Sequence, residues 1–205
     1  MTIFPGAASL PDVQRILIGA VVPRPIAFVS TVSAAGILNL APFSFFNAVC
    51  YDPPVVCFSI AHPPAGDPRS QKDTLANIEA TGEFVVNVVS EDIGGPMNLT
   101  SGHYPTEVDE FSLSGLTPVK SELVKPPRVG QSPVNFECKL THNILVSARP
   151  GGSHLILGEA VCIHVDDAIL DEKNRIDPAR LRAIGRMGGI SYVRTGDLFE
   201  LIRPK

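Results

Sequence analysis

No two cysteines of the 205-residue sequence form a C-x-x-C pair. Cys50, Cys57, Cys138 and Cys162 stand apart, each among apolar residues, and read as reduced core cysteine in a cytosolic protein. There is no run of Lys or Arg, and the net charge is -4, so nucleic acid is not an expected partner. No segment approaches the ~18 consecutive apolar residues of a membrane span. The N-terminal MTIFPGAASLPDVQRIL has neither the basic region nor the long apolar core of a signal peptide, so a cytoplasmic location is expected. G-x-S-x-G is absent, and Cys50 and Cys57 have no adjacent base; a hydrolytic triad would have to assemble by tertiary contact. G-x-G-x-x-G is absent too. With no repeat, low-complexity tract or long linker, residues 1–205 read as one domain.

What is present is ordinary globular composition, 44% hydrophobic and 19% charged, cut into short elements by 19 prolines and 17 glycines. PIAFVSTV (25–32) and ILNLAPF (37–43) flank SAAG and read as a hairpin. Phe45 to Tyr51 follows, then VVCFSI (55–60), which is apolar on both faces and expected to be buried on both. SQKDTLANIEATG predicts a helix with a Ser70/Asp73 capping box, a Leu75/Ile78 stripe and a stop at Gly82. EFVVNVV (83–89) is a further buried strand, and EDIGGPMNLTSG a short helix breaking up at its glycines. VNFECKLTH alternates, with Val134, Phe136, Cys138 and Leu140 on one side. SHLILGEAVCIHVDD places Leu155, Leu157, Val161, Ile163 and Val165 together. Long alternating strands with short turns predict a closed or nearly closed antiparallel barrel with helices outside. DPARLRAI adds a helix capped by Asp177 with Pro178 at its first position.

Three groups of polar residues are candidates for chemistry. His164, Asp166 and Asp167 offer metal donors, but on an alternating strand His164 and Asp166 share the face opposite the apolar one; solvated strand-end residues are the better reading, and no metal is expected. SQKDTLANI opens a helix at Asp73, where free N–H groups and the helix dipole favour an anion. Lys72 adds a cation and Thr74 a hydroxyl, and Asn77 lies on neighbouring surface. An ordinary capped surface helix is the alternative. The third group interrupts the apolar stretch NLAPFSFFNAV: Asn39, Ser44 and Asn47, with Pro42 removing a backbone donor. Arg24 between two prolines, and Ser30 and Thr31 in a strand, join them. These groups hydrogen-bond without titrating and suit a planar ring rich in acceptors, walled by Phe43, Phe45 and Phe46.

VPRPIAFVSTVSAAGILNLAPFSFFNAVCYDPPVVCFSI and KDTLANIEATGEFVVNVV resemble the flavin reductase-like proteins of the FMN-binding split-barrel fold, and GRMGGISYVRTGDLFELIRP continues the resemblance. It implies a mainly β (α+β) chain: a six-stranded antiparallel Greek-key split barrel with flanking helices. It implies a homodimer with one FMN per subunit near the interface, FAD being less favoured. It implies electron transfer from NAD(P)H, a transient reductant, through flavin to an acceptor or partner oxygenase. A non-catalytic flavin carrier is the alternative. By this resemblance Ser30, Thr31 and Val32 line the isoalloxazine, and Asn39 to Ser44, with Ala41 and Pro42, face its pyrimidine edge. Ser59 and Ile60 border the ribityl and phosphate region. Arg24, Lys72, Asp73, Thr74 and Asn77 hold the phosphate end, Asp73 through its amide or as a cap. Arg186 and Tyr192 close over the site, and His154 is a weaker candidate for the nicotinamide side. Met187 and Ile190 depart from the pattern of the last motif.

Overall fold

The computed structural model describes residues 1–63, 66, 67 and 69–204. Helix α1 (Leu10–Ala20) comes first, its start fixed by Ser9, whose hydroxyl accepts the Asp12 amide. Strands β1 (Ala27–Val32) and β2 (Leu38–Phe43) form the expected hairpin, and Gly36 supplies the positive φ its turn needs. Strands β3 (Phe46–Tyr51) and β4 (Pro54–Ala61) form a second hairpin. Helix α2 (Asp73–Thr81) ends at Gly82 in the left-handed region, whose amide closes on the Ile78 carbonyl at 2.8 Å. Then come β5 (Glu83–Val88), the short helices α3 (Gly94–Leu99) and α4 (Glu110–Ser114), and the small pair β6 (Pro118–Val119) and β7 (Arg128–Val129). The long strands β8 (Val134–Leu145) and β9 (Ser153–Val165) follow. Helix α5 (Pro178–Leu181) is capped by Asp177 as expected, and β10 (Ile184–Arg186) pairs with β11 (Tyr192–Arg194).

The main sheet is antiparallel throughout, in the order β2-β1-β5-β8-β9-β4-β3. It has seven strands where six were expected. Ser44 and Phe45 break the segment 38–51, and its halves land at opposite edges of the sheet. One stretch of chain thus supplies both edges, and the Ser59 amide donates to the Phe45 carbonyl at 2.9 Å across the break.

Two apolar clusters hold the sheet. The first packs Phe43, Phe58 and Phe84 ring to ring, with centroids 5.3 and 5.4 Å apart, under Leu75 and Ile78 of α2. The second lies under α3 and α4 and holds Phe28, Leu40, Met97 and Phe111. Strand β1 serves both: Ala27 and Val29 enter the first, Phe28 the second.

Three sequence expectations change. The buried face of β9 is Ile156, Gly158 and Ala160; Leu155 and Leu157 point the other way, and the register shift at Val161 returns Ile163 to the Ala160 side, opposite Phe136. The reason is room. A Cβ on Gly158 would sit 2.8 Å from Phe84 Cε1 and 3.2 Å from Cys138 Cβ, so the large ring of β5 requires a small residue opposite. Strand β4 buries only Val56, Phe58 and Ile60 fully; its other face is half-buried. Of the four free cysteines only Cys138 is core; Cys57 and Cys162 are half-buried and Cys50 is exposed.

Candidate functional site

The start of α2 forms one wall of a cleft of about 90 Å³, with Ala41, Pro42 and Phe43 of β2 opposite and the turn after α3 (Thr100–Tyr104) alongside. The expected capping box is absent. Lys72 is the N-cap residue, and among the described residues no side chain bonds the amides of Asp73 and Thr74. Asp73 cannot do so, because its carboxylate accepts from Arg69 Nη1 at 3.0 Å and from the Thr106 hydroxyl at 2.9 Å. Arg69 is itself held by Asp67, at 3.1 Å from Nε and 2.9 Å from Nη2; these hydrogen bonds pull the Asp67 carboxyl down to about 2. Lys72 lies half-buried with its ammonium 5.8 Å from the centre of the Phe43 ring. Burial lowers its pKa, and the Arg69 charge lowers it further. A desolvated ammonium above open helix amides gains by taking up an anion.

Beneath the cleft is a closed polar network. Asn39 Nδ2 donates to Thr31 Oγ1 and to Thr74 Oγ1, both at 3.0 Å, and Asn77 Nδ2 donates to Thr31 Oγ1 at 3.0 Å. All of these side chains are buried. The polar interruptions of NLAPFSFFNAV are therefore satisfied largely by the fold: Asn39 in this network, Ser44 by Arg24 Nε at 3.4 Å, and Asn47 by the following amide of Ala48.

The structure brings Asn39, Ala41, Pro42, Lys72, Asp73 and Thr74 to the cleft, with Thr31 and Asn77 bonded below. Several expected residues lie elsewhere. Arg24 is buried and donates to the carbonyls of Ile18 (2.6 Å), Val21 (2.9 Å) and Met187 (3.0 Å), so it clamps α1 and the C-terminal segment and does not line the cleft. Ser30 faces the other side of β1 and donates to the Pro127 carbonyl at 2.5 Å. Val32 ends β1 paired with Leu38, Ser59 is half-buried on β4, and the Ile60 side chain belongs to the core. Arg186 stacks 4.5 Å over Tyr192 on the C-terminal hairpin, away from the cleft. His154 Nδ1 meets Asn143 Oδ1 at 2.7 Å, also outside it. Cys50 Sγ lies 3.4 Å from the Asp52 carbonyl, not beside a base.

Sequence reasoning missed Arg69, the turn at Thr100–Tyr104, and Glu110. Arg69 was findable, as a second cation three residues before Lys72. Glu110 accepts the Leu40 amide at 3.0 Å, and burial raises its carboxyl to about 7.

A large antiparallel sheet with few helices, one bent segment of which supplies both edges, is consistent with the α+β split-barrel class. The model for the "flavin reductase like domain" matches residues 19–180, so the chain belongs to the flavin reductase-like family. An uncharacterized protein of Aquifex aeolicus is 47% identical over 180 residues, 88% of each chain. Nitrilotriacetate monooxygenase component B from Bacillus cereus superposes with a TM-score of 0.92 at 32% identity, covering 98% of both chains. The 2-nitrobenzoate 2-nitroreductase of Pseudomonas fluorescens superposes with a TM-score of 0.88 at 31% identity, covering 100% of this chain and 96% of that one. Among the described residues no helix is long and apolar enough to cross a membrane.

Proposed function

We propose that this chain is an FMN-binding oxidoreductase that passes electrons from NAD(P)H through flavin to an acceptor or partner oxygenase. It works as a cytoplasmic homodimer whose sheet closes as a Greek-key split barrel. The observation that carries the reading is the uncapped start of α2 under a half-buried Lys72, in a member of the flavin reductase-like family. The cleft fits the phosphate end of FMN: amides, a cation and the hydroxyl-bearing Thr74 converge on a space the size of a phosphoryl group. An uncapped cationic cleft favours FMN over riboflavin, and the rest of the flavin extends out of it.

When bound, FMN supplies the hydride acceptance and onward electron transfer. The chain's task is to hold and orient it. Lys72 and the first amides of α2 anchor the anionic end. The Asn39/Thr31/Asn77/Thr74 network keeps β1, β2 and α2 in register beneath it, and the Ala41–Phe43 backbone forms the facing wall. The exposed Phe45, Val49, Tyr51 and Ile163, with the apolar tail at Leu198, Phe199, Leu201 and Ile202, support burial against a second copy. The structural similarity to a monooxygenase component B supports an oxygenase as the partner.

The test is anaerobic rapid mixing of the flavin-loaded protein with NADH and with NADPH. Loss of the oxidised flavin absorbance within seconds, with one of the two preferred, is the expected result. A flavin that stays oxidised with both, yet is reduced by dithionite, makes the protein a flavin carrier instead.

A further inference from the structure

Away from the cleft, β8 and β9 bring a carboxylate, an imidazole and a thiol together. Glu137 and Cys162 are direct cross-strand partners, set side by side where the register shifts after Glu137. His164 lies two residues on, on the same face of β9. Glu137 Oε1 is 2.6 Å from His164 Nε2, and the same nitrogen is 3.4 Å from Cys162 Sγ. One donor atom from each of the three residues lies within 4.8 Å of the others. Glu137 is 0% exposed, and its carboxylate is fixed by the amides of Glu122 (2.8 Å) and Leu123 (2.7 Å). The His164 side chain is 22% exposed, which leaves the group open to solvent on one side.

Hydrogen bonding alone serves this group poorly. Nε2 carries at most one proton, and at 2.6 Å that proton goes to Glu137. The thiol then faces a nitrogen with no free lone pair. A cation between the three atoms satisfies them all. Carboxylate oxygen, imidazole nitrogen and thiolate sulfur form a donor set suited to zinc(II). Zinc bond lengths at tetrahedral angles place nitrogen and sulfur about 3.5 Å apart, and nitrogen and oxygen about 3.4 Å apart. The first separation is already met. The second needs the His164 ring to swing by about 0.8 Å from a carboxylate that two loop amides hold in place. Burial and the charges of Glu137 and Glu122 push the Cys162 thiol up, while Arg128 acts in the opposite sense, so the thiol stays protonated until a metal displaces the proton.

We propose that Glu137, Cys162 and His164 form a zinc(II) site, with solvent as the fourth ligand, that pins the loop between β6 and β7 to the long strands. On binding, the Cys162 proton leaves to solvent and the single His164 ring proton shifts by way of solvent from Nε2 to Nδ1, which frees the Nε2 lone pair for the metal. The experiment is titration of the chelator-stripped full chain with cobalt(II), read at ligand-field bands to the red of flavin absorption. One equivalent binding with tetrahedral bands that zinc bleaches is the expected result. C162S and H164Q each lower the affinity by about 100-fold or more, since even outer-shell losses cost about 10- to 100-fold. C57S binds like the wild type. Circular dichroism confirms the fold of each variant, and H164Q, changed at an accessible side chain that keeps a donor for Glu137, decides the point if C162S does not fold. Absence of tetrahedral bands at saturating cobalt, or wild-type affinity in a folded H164Q, overturns the site and leaves a Glu–His hydrogen bond.

Discussion

Asn39→Ala removes the donor at the centre of the network beneath the cleft. Asn39 is 7% exposed, and its amide serves Thr31 and Thr74, each at 3.0 Å. A net hydrogen bond contributes about 0.5–1.5 kcal/mol, and a buried group left without a partner costs about 1–3 kcal/mol. Thr31 keeps its bond from Asn77, so only Thr74 loses its side-chain donor outright. These ranges add to about 1.5–4.5 kcal/mol, and we take a loss of about 2–3 kcal/mol, near the middle, as the expected value. For a domain of this length that lowers the melting midpoint by about 4–12 °C. The assay is urea unfolding of flavin-stripped protein, so that ligand linkage does not enter. Asn39→Ala in a Thr74→Val background then costs less than in the wild type, because the pair shares one bond. A stability loss below about 0.5 kcal/mol, the range of an unremarkable surface change, refutes the reasoning. If stability is unchanged while FMN retention falls, the Asn39 side chain serves the ligand instead of the fold.

Two further outcomes follow from packing and burial. Burial raises Glu110 to about 7 from 4.5, so between those values the folded chain keeps a proton that the unfolded chain has lost, and stability falls as pH rises through that window. Glu110→Gln retains an acceptor for the Leu40 amide; unfolding midpoints at about pH 5 and about pH 8 then show a smaller fall than in the wild type, and an unchanged difference contradicts the assignment. Gly158→Ala drives a methyl group into Phe84 and destabilises by about 1–3 kcal/mol, read as a lower melting midpoint; wild-type stability would mean the ring can move aside.

Much of the architecture was legible because it is local. The β1/β2 hairpin, α2 and its Gly82 stop, and the Asp177 cap follow from turn and capping chemistry within a few residues. Helix α1 carried the same kind of signal in Ser9 and Asp12 but went unread. The phase of β9 was not legible. Leu155 and Leu157 face away from the core because a ring on another strand claims the space over Gly158, which is a tertiary fact. The site shows the same division. Lys72 and Thr74 were readable from the helix start, and they stand in the cleft. Arg24 looked free between its prolines, but the carbonyls that hold it come from α1 and from Met187, 163 residues away. His164 looked solvated because its partner, Glu137, lies on the neighbouring strand.

The most direct test of the account is binding of FMN and of riboflavin to flavin-stripped protein, in the wild type and in Lys72→Met. A charge-assisted hydrogen bond is worth about 1.5–3 kcal/mol, so loss of the ammonium weakens FMN by about 10- to 100-fold while riboflavin, which has no phosphate, binds unchanged. The wild type itself prefers FMN by about 100-fold or more, because the open amides of α2 add to the cation. Equal affinity for the two flavins, or an equal loss for both in Lys72→Met, would contradict the placement of the phosphate at the start of α2.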